Sequence, residues 1–196
     1  MIKETLIVVD TETGGLDPKR DSLLTVAFVV LDGTRVIAKQ EWKIKHPTYH
    51  VTAKALEVNG IDLVTFDKEA LPKEQVAHEM ITFLGTHCSE RKGMFVGQNT
   101  IFDKAFIENF LKGLNDTSYF SAYKDLISRR YVDLMSITAF LNMAGVLDTD
   151  GLGLDKVIET FNLPVEARHT ALDDAKVTLD GLVKMIGLIQ TKQFVS

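Results

Sequence analysis

Four carboxylates and one histidine are the residues of this sequence whose types and spacing could do chemistry. Asp10 and Glu12 lie two apart at the end of the apolar run TLIVVDTET. Side chains alternate along a strand, so both project from one face. Two acids held side by side against an apolar strand repel each other and resist ionising together, and a divalent cation between them removes that penalty. A strand-ending loop, eased by Gly14-Gly15, would instead leave the same pair in solvent with no ion. Asp103 falls where the short run GMFVG passes into QNTIFDKAFIENFL, at the start of a helix. A negative charge there also favours the helix dipole by about 0.3–1 kcal/mol, which accounts for Asp103 equally well. His169 precedes the acidic segment ALDDAKVTLDGLVKMI, where it could accept a proton near neutral pH or simply cap the helix.

Helical phase separates the two adjacent acids of that segment. At roughly 100° per residue, Asp173 lines up with Lys176, Asp180 and Lys184 in a charged, solvated stripe. Asp174 borders the apolar face beside Thr178, Gly181 and Met185, whose small members leave room close to the helix. Asp174 is therefore the candidate functional acid, and Asp173 a surface residue.

The elements that must position these groups form a mixed α/β pattern. Residues 5–13 read as a strand buried on both faces in the middle of a sheet. Residues 22–31 and 34–45 are strand-like and flank Asp32-Gly33, a strong hairpin signal. Helices are expected over 52–59 and 73–87, a short strand at 93–97, and a helix over 103–112 followed by a looser stretch through 121. A last strand at 130–134 and helices at 135–143, 152–161 and 171–190 complete the order. Strands separated by helices favour parallel pairing, so the pattern predicts a mixed sheet with helices packed on it.

The 196 residues suit a single domain, 1–196, with no repeat, low-complexity tract or flexible linker. No apolar run reaches the roughly 18–20 residues that span a bilayer. The N-terminal segment lacks the features of a signal peptide, and one cysteine, Cys88, excludes an internal disulfide framework. A cytoplasmic protein is the expectation. A net charge of −5 argues against coating nucleic acid by bulk electrostatics, but not against acting on its ends with bound cations. The basic groups Lys39/Lys43/Lys45/His46, Arg91/Lys92 and Lys124/Arg129/Arg130 read as solvated faces.

The strings VDTETGGLDP, NTIFD and HTALDDA, in this order, resemble the three motifs of the DEDDh 3′→5′ exonuclease superfamily, of the ribonuclease T and proofreading-subunit type. Asp10 and Glu12 match the first motif, Asn99 and Asp103 the second, and His169, Ala171 and Asp174 the third. The resemblance spans residues 5 to about 188 and implies a ribonuclease-H-like fold. It further implies two Mg²⁺ or Mn²⁺ ions held by Asp10, Glu12, Asp103 and Asp174, with Asp10 between them and Asp103 acting partly through water. His169 would be the general base, and nucleoside 5′-monophosphates would leave from a single-stranded DNA or RNA 3′ end. The terminal nucleotide would be seated by Thr13, Leu16, Leu56, Asn59 and Phe102, although Phe102 is equally explained as core. A homodimer or a polymerase partner is compatible with the resemblance. The rival readings are a proofreading subunit that works only within a polymerase and a non-catalytic nucleic-acid-binding module.

Overall fold

The computed structural model describes residues 4–164 and 170–191. Among the described residues, six strands form one sheet: β1 (Thr5–Thr13), β2 (Leu23–Asp32), β3 (Arg35–Lys45), β4 (Leu71–Pro72), β5 (Gly93–Gly97) and β6 (Ile127–Asp133). Their order across the sheet is β4-β3-β2-β1-β5-β6. β1 and β2 are antiparallel, as are β2 and β3, whereas β5 pairs parallel with both β1 and β6. β1 thus lies at the junction of the antiparallel and parallel halves. The helices are α1 (Ala53–Asn59), α2 (Leu63–Glu69), α3 (Lys73–Cys88), α4 (Thr100–Lys112), α5 (Ser118–Leu126), α6 (Leu134–Met143), α7 (Leu154–Phe161) and α8 (Ala171–Thr191).

Alternation along β1 divides the core in two. Ile7 and Val9 face α3, α4 and α5 in a cluster that also holds Phe28, Phe95, Phe106 and Tyr123. Val8 faces the other way, onto Ala175 and Leu179 of α8. Each fully buried Val, Ile or Phe contributes on the order of 1.5–3 kcal/mol, so β1 is anchored from both sides. That anchoring fixes the face on which each acid near its end emerges.

The observed sheet is mixed, as the element order predicts, and several boundaries differ from the expected ones. The stretch expected to stay loose through residue 121 gives way to α5 from Ser118, because Tyr123 is buried against Phe95 and Phe120. α2 and β4 were not anticipated, although Asp62 caps α2 by accepting the amides of Val64 and Thr65. β6 begins at Ile127, three residues before the expected strand. α4 starts at Thr100, so Asp103 sits inside its first turn. The hairpin loop is Gly33-Thr34, since Asp32 already pairs with Arg35, and Gly33 has φ +64°.

Lys43 and Lys45, from one of the basic groups, pair with Glu69 and Asp67 beneath α2. They are neutralised locally, as a solvated face would be. Among the described residues, no helix is long and apolar enough to cross a membrane.

Candidate active site

Asp10 and Glu12 leave the same face of β1 toward α8, and Asp174 meets them from the first turn of that helix. One carboxylate oxygen from each of the three lies within 4.8 Å of the others. Burial pushes the Asp10 carboxyl well above its ordinary range, and the negative charges of Asp103, Glu12, Asp174 and Glu41 push it further. Glu12 is raised to about 7, first by burial and then by Asp174, Glu41 and Asp103. Three acids converging in this way form an electrostatic trap, repelling one another until a cation occupies the space between them.

Asp103 approaches from the opposite side of the sheet. Thr11, between the two acids in sequence, points to the α4 face, where its hydroxyl donates to Asp103 Oδ1 at 2.7 Å. Asp103 is only 3% exposed and is not one of the three converging acids. Burial raises it to about 7, against hydrogen bonds from the Thr11 hydroxyl and from backbone amides that act to lower it. Asn99 precedes α4 in the left-handed region at φ 59°, and its backbone N–H donates to Asp133 Oδ1 at 2.8 Å. Asp133 also caps α6 by accepting the amide of Met135. It therefore ties the β5–α4 turn to the end of β6 and holds the start of the Asp103 helix.

The adjacent acids of α8 separate as their helical phase requires. Asp173 accepts a 2.6 Å contact from Lys176 and a hydroxyl hydrogen bond from Thr170, which together lower its pKa. Its own amide donates back to the Thr170 hydroxyl, forming a reciprocal cap. Gly181 is buried as its phase suggests, but the room beside it is filled by protein. A Cβ there would come within 2.7 Å of Val157 in α7.

The nucleotide-seating candidates divide into exposed and structural. Leu16 is 84% exposed just beyond β1, whereas the Thr13 hydroxyl is spent on the Gly15 carbonyl. Asn59 is buried; its side-chain amide donates to the Thr13 carbonyl and its oxygen accepts the amide of Ile61. Asn59 thus fastens α1 to the end of β1. Gly14 sits in the same junction, where a Cβ would lie 2.1 Å from the His50 carbonyl oxygen, so only glycine fits. Leu56 is half-buried on α1. Phe102 is also half-buried, packed on Phe106 with ring centroids 4.8 Å apart. A cleft of about 340 Å³ opens beside Glu12, bounded by Glu41, Asn59, Phe66 and Thr170. His169 lies outside the described residues.

Sequence reasoning missed Thr11, Asp133 and Glu41. The first two had a local signal, a hydroxyl between paired acids and an acid before a helix. Glu41, in the middle of an alternating strand, had none.

A mixed sheet with paired acids at the end of its central strand and a third on the closing helix makes a carboxylate site able to hold a divalent cation. The chain belongs to the exonuclease family RNase_T, which it matches over residues 7–182. It is 26% identical over 186 residues to a DNA polymerase III PolC-type of Thermotoga maritima, covering 95% of this chain and 12% of that protein. It is 28% identical over 114 residues to a ribonuclease T of Marinobacter nauticus, covering 52% of this chain and 50% of the relative. The chain therefore spans about an eighth to a half of these relatives' lengths. Among solved structures it resembles E. coli exonuclease I in a zinc-bound complex with single-stranded DNA, with a TM-score of 0.76 and 17% identity. That match covers 97% of this chain and 41% of the exonuclease, and establishes the shared fold.

Proposed function

We propose that this chain is a single divalent-metal-dependent exonuclease domain that removes nucleoside 5′-monophosphates from the 3′ end of single-stranded DNA or RNA. The observation that carries the reading is the convergence of Asp10, Glu12 and Asp174 within 4.8 Å, with Asp10 and Glu12 both held above their ordinary pKa. The donor set is all oxygen, which fits Mg²⁺ or Mn²⁺. Asp10, Glu12 and Asp174 would hold the ion on the nucleophile side, and Asp103, fixed by Thr11, would serve a second one. When bound, such ions polarise the phosphate and acidify water. His169 would take the proton of the attacking water, a role that suits an imidazole titrating near neutrality. Leu16, exposed just beyond β1, would offer an apolar surface to the terminal base, and Phe102 a ring face, each of which can grip any base without reading its sequence.

A polymerase partner is a second reading within the same chemistry. It is favoured by the match of 95% of this chain to a PolC-type polymerase. Purified protein with Mg²⁺ is to be incubated with DNA and RNA strands labelled at either end. Release of monophosphate from the 3′ end, abolished by EDTA, is the expected result. Full activity in excess EDTA, or release from the 5′ end, would overturn it.

A further inference from the structure

Glu41 of β3 stands closer to this chemistry than its place in the sequence suggests. Strand register explains why: Asp10 pairs with Ala27, and Ala27 pairs with Glu41, so the three form one row on one face of β1, β2 and β3. Ala27 ends at its Cβ and is fully buried, and α8 packs across β1, β2 and β3. Glu41 Oε1 accepts the amide of Leu172 at 2.9 Å, across 131 residues of chain. The first amides of a helix have no intrahelical partner. Here Thr170, the residue just before the helix, satisfies that of Asp173, and Glu41 satisfies that of Leu172 from the sheet. A carboxylate at this end also opposes the positive pole of the helix dipole. Lys43, two residues along the same face, does not compete for Glu41, because it is paired with Glu69.

We propose that Glu41 is a positioning residue: by holding the Leu172 amide it docks the N-terminus of α8 on the sheet and sets the separation of Asp174 from Asp10 and Glu12. This rests on reading those three acids as the metal site. The test compares the wild type with Glu41→Ala and Glu41→Gln, the latter keeping a neutral acceptor in the same place. Calorimetry reads Mn²⁺ affinity, steady-state assays on a single-stranded oligonucleotide read kcat and KM, and hydrogen exchange reads the Leu172 amide. Glu41→Ala is expected to weaken Mn²⁺ binding and lower kcat by about tenfold each, the scale of one charged hydrogen bond, with KM within about twofold. The Leu172 amide should exchange faster in that variant. Glu41→Gln should return all three quantities to within about threefold of wild type, as a retained neutral hydrogen bond would. Wild-type affinity and kcat in Glu41→Ala would overturn the proposal. So would equal impairment in both variants, which would assign the effect to charge rather than to the held amide. A wild-type protein that binds Mn²⁺ but degrades no nucleic acid would defeat the exonuclease reading, while the calorimetry would still decide the role of Glu41.

Discussion

Asp173 and Asp174 are chemically identical neighbours with different environments. Asp173 is occupied by Lys176 and Thr170 at the rim of the helix, whereas Asp174 meets Asp10 and Glu12. Asp174→Asn is expected to abolish turnover, because it removes a charged oxygen from the ion. It should also raise the melting temperature of the metal-free protein, since one repelling charge leaves the trio. Asp173→Asn should keep turnover within a few-fold of wild type. Its reciprocal cap and ion pair make the change cost about 0.5–1 kcal/mol of stability, slightly more than an ordinary surface substitution. Measuring kcat and thermal melting for both variants decides the assignment. A dead Asp173→Asn beside an active Asp174→Asn would reverse it.

At the scale of elements, the site depends on how α8 lies between the sheet and α7. Gly181 lets the two helices approach, and its own face carries no space for a side chain. Gly181→Ala would drive a methyl group into Val157 and should destabilise the protein by about 1–3 kcal/mol through overpacking. Adding Val157→Ala should recover part of that loss, because the two changes share one contact. Denaturant midpoints of the two single variants and the double variant test this, and strict additivity would show that the contact is not the cause. α5 belongs to the same scale. Its sequence reads as a loop, and the burial of Tyr123 against Phe95, with Tyr119, Phe120 and Leu126 packed on the same core, commits it to a helix.

Across the whole molecule, the acids store a pH dependence that a metal should erase. Glu12 and Asp103 are each raised to about 7 in the folded chain. Between their ordinary values near 4 and about 7, the folded state binds more protons than the unfolded state, so each group's contribution to stability falls as pH rises through that window. His46 acts in the opposite sense, since burial lowers its pKa and its contribution grows as pH rises toward its ordinary value of 6.5. The informative quantity is therefore the melting-temperature difference between Glu12→Gln and wild type without metal. That difference should grow from pH 4.5 to 7, and saturating Mg²⁺ should raise the wild-type melting temperature most above pH 7, where protons no longer compete. A difference that stays flat, or a wild type whose melting ignores Mg²⁺ throughout, would remove the electrostatic trap as an explanation.

The sequence by itself determined which way each acid near the site points relative to its own element. Alternation along β1 pairs Asp10 with Glu12, and the turn angle of α8 separates Asp174 from Asp173. Both follow from backbone geometry over a few residues, so neither needs the rest of the chain. The hairpin, the central strand and the closing helix were legible for the same reason. Tertiary structure alone decided that Thr11 would reach through to Asp103 and that Asp133 would hold the turn before α4. It alone also brought Glu41 into the row of Asp10. That last placement depends on the two-residue loop at Gly33 and on the register shift between Val30 and Leu31. A one-residue slip in either would turn Glu41 to the opposite face of the sheet, because side chains along a strand repeat every second residue.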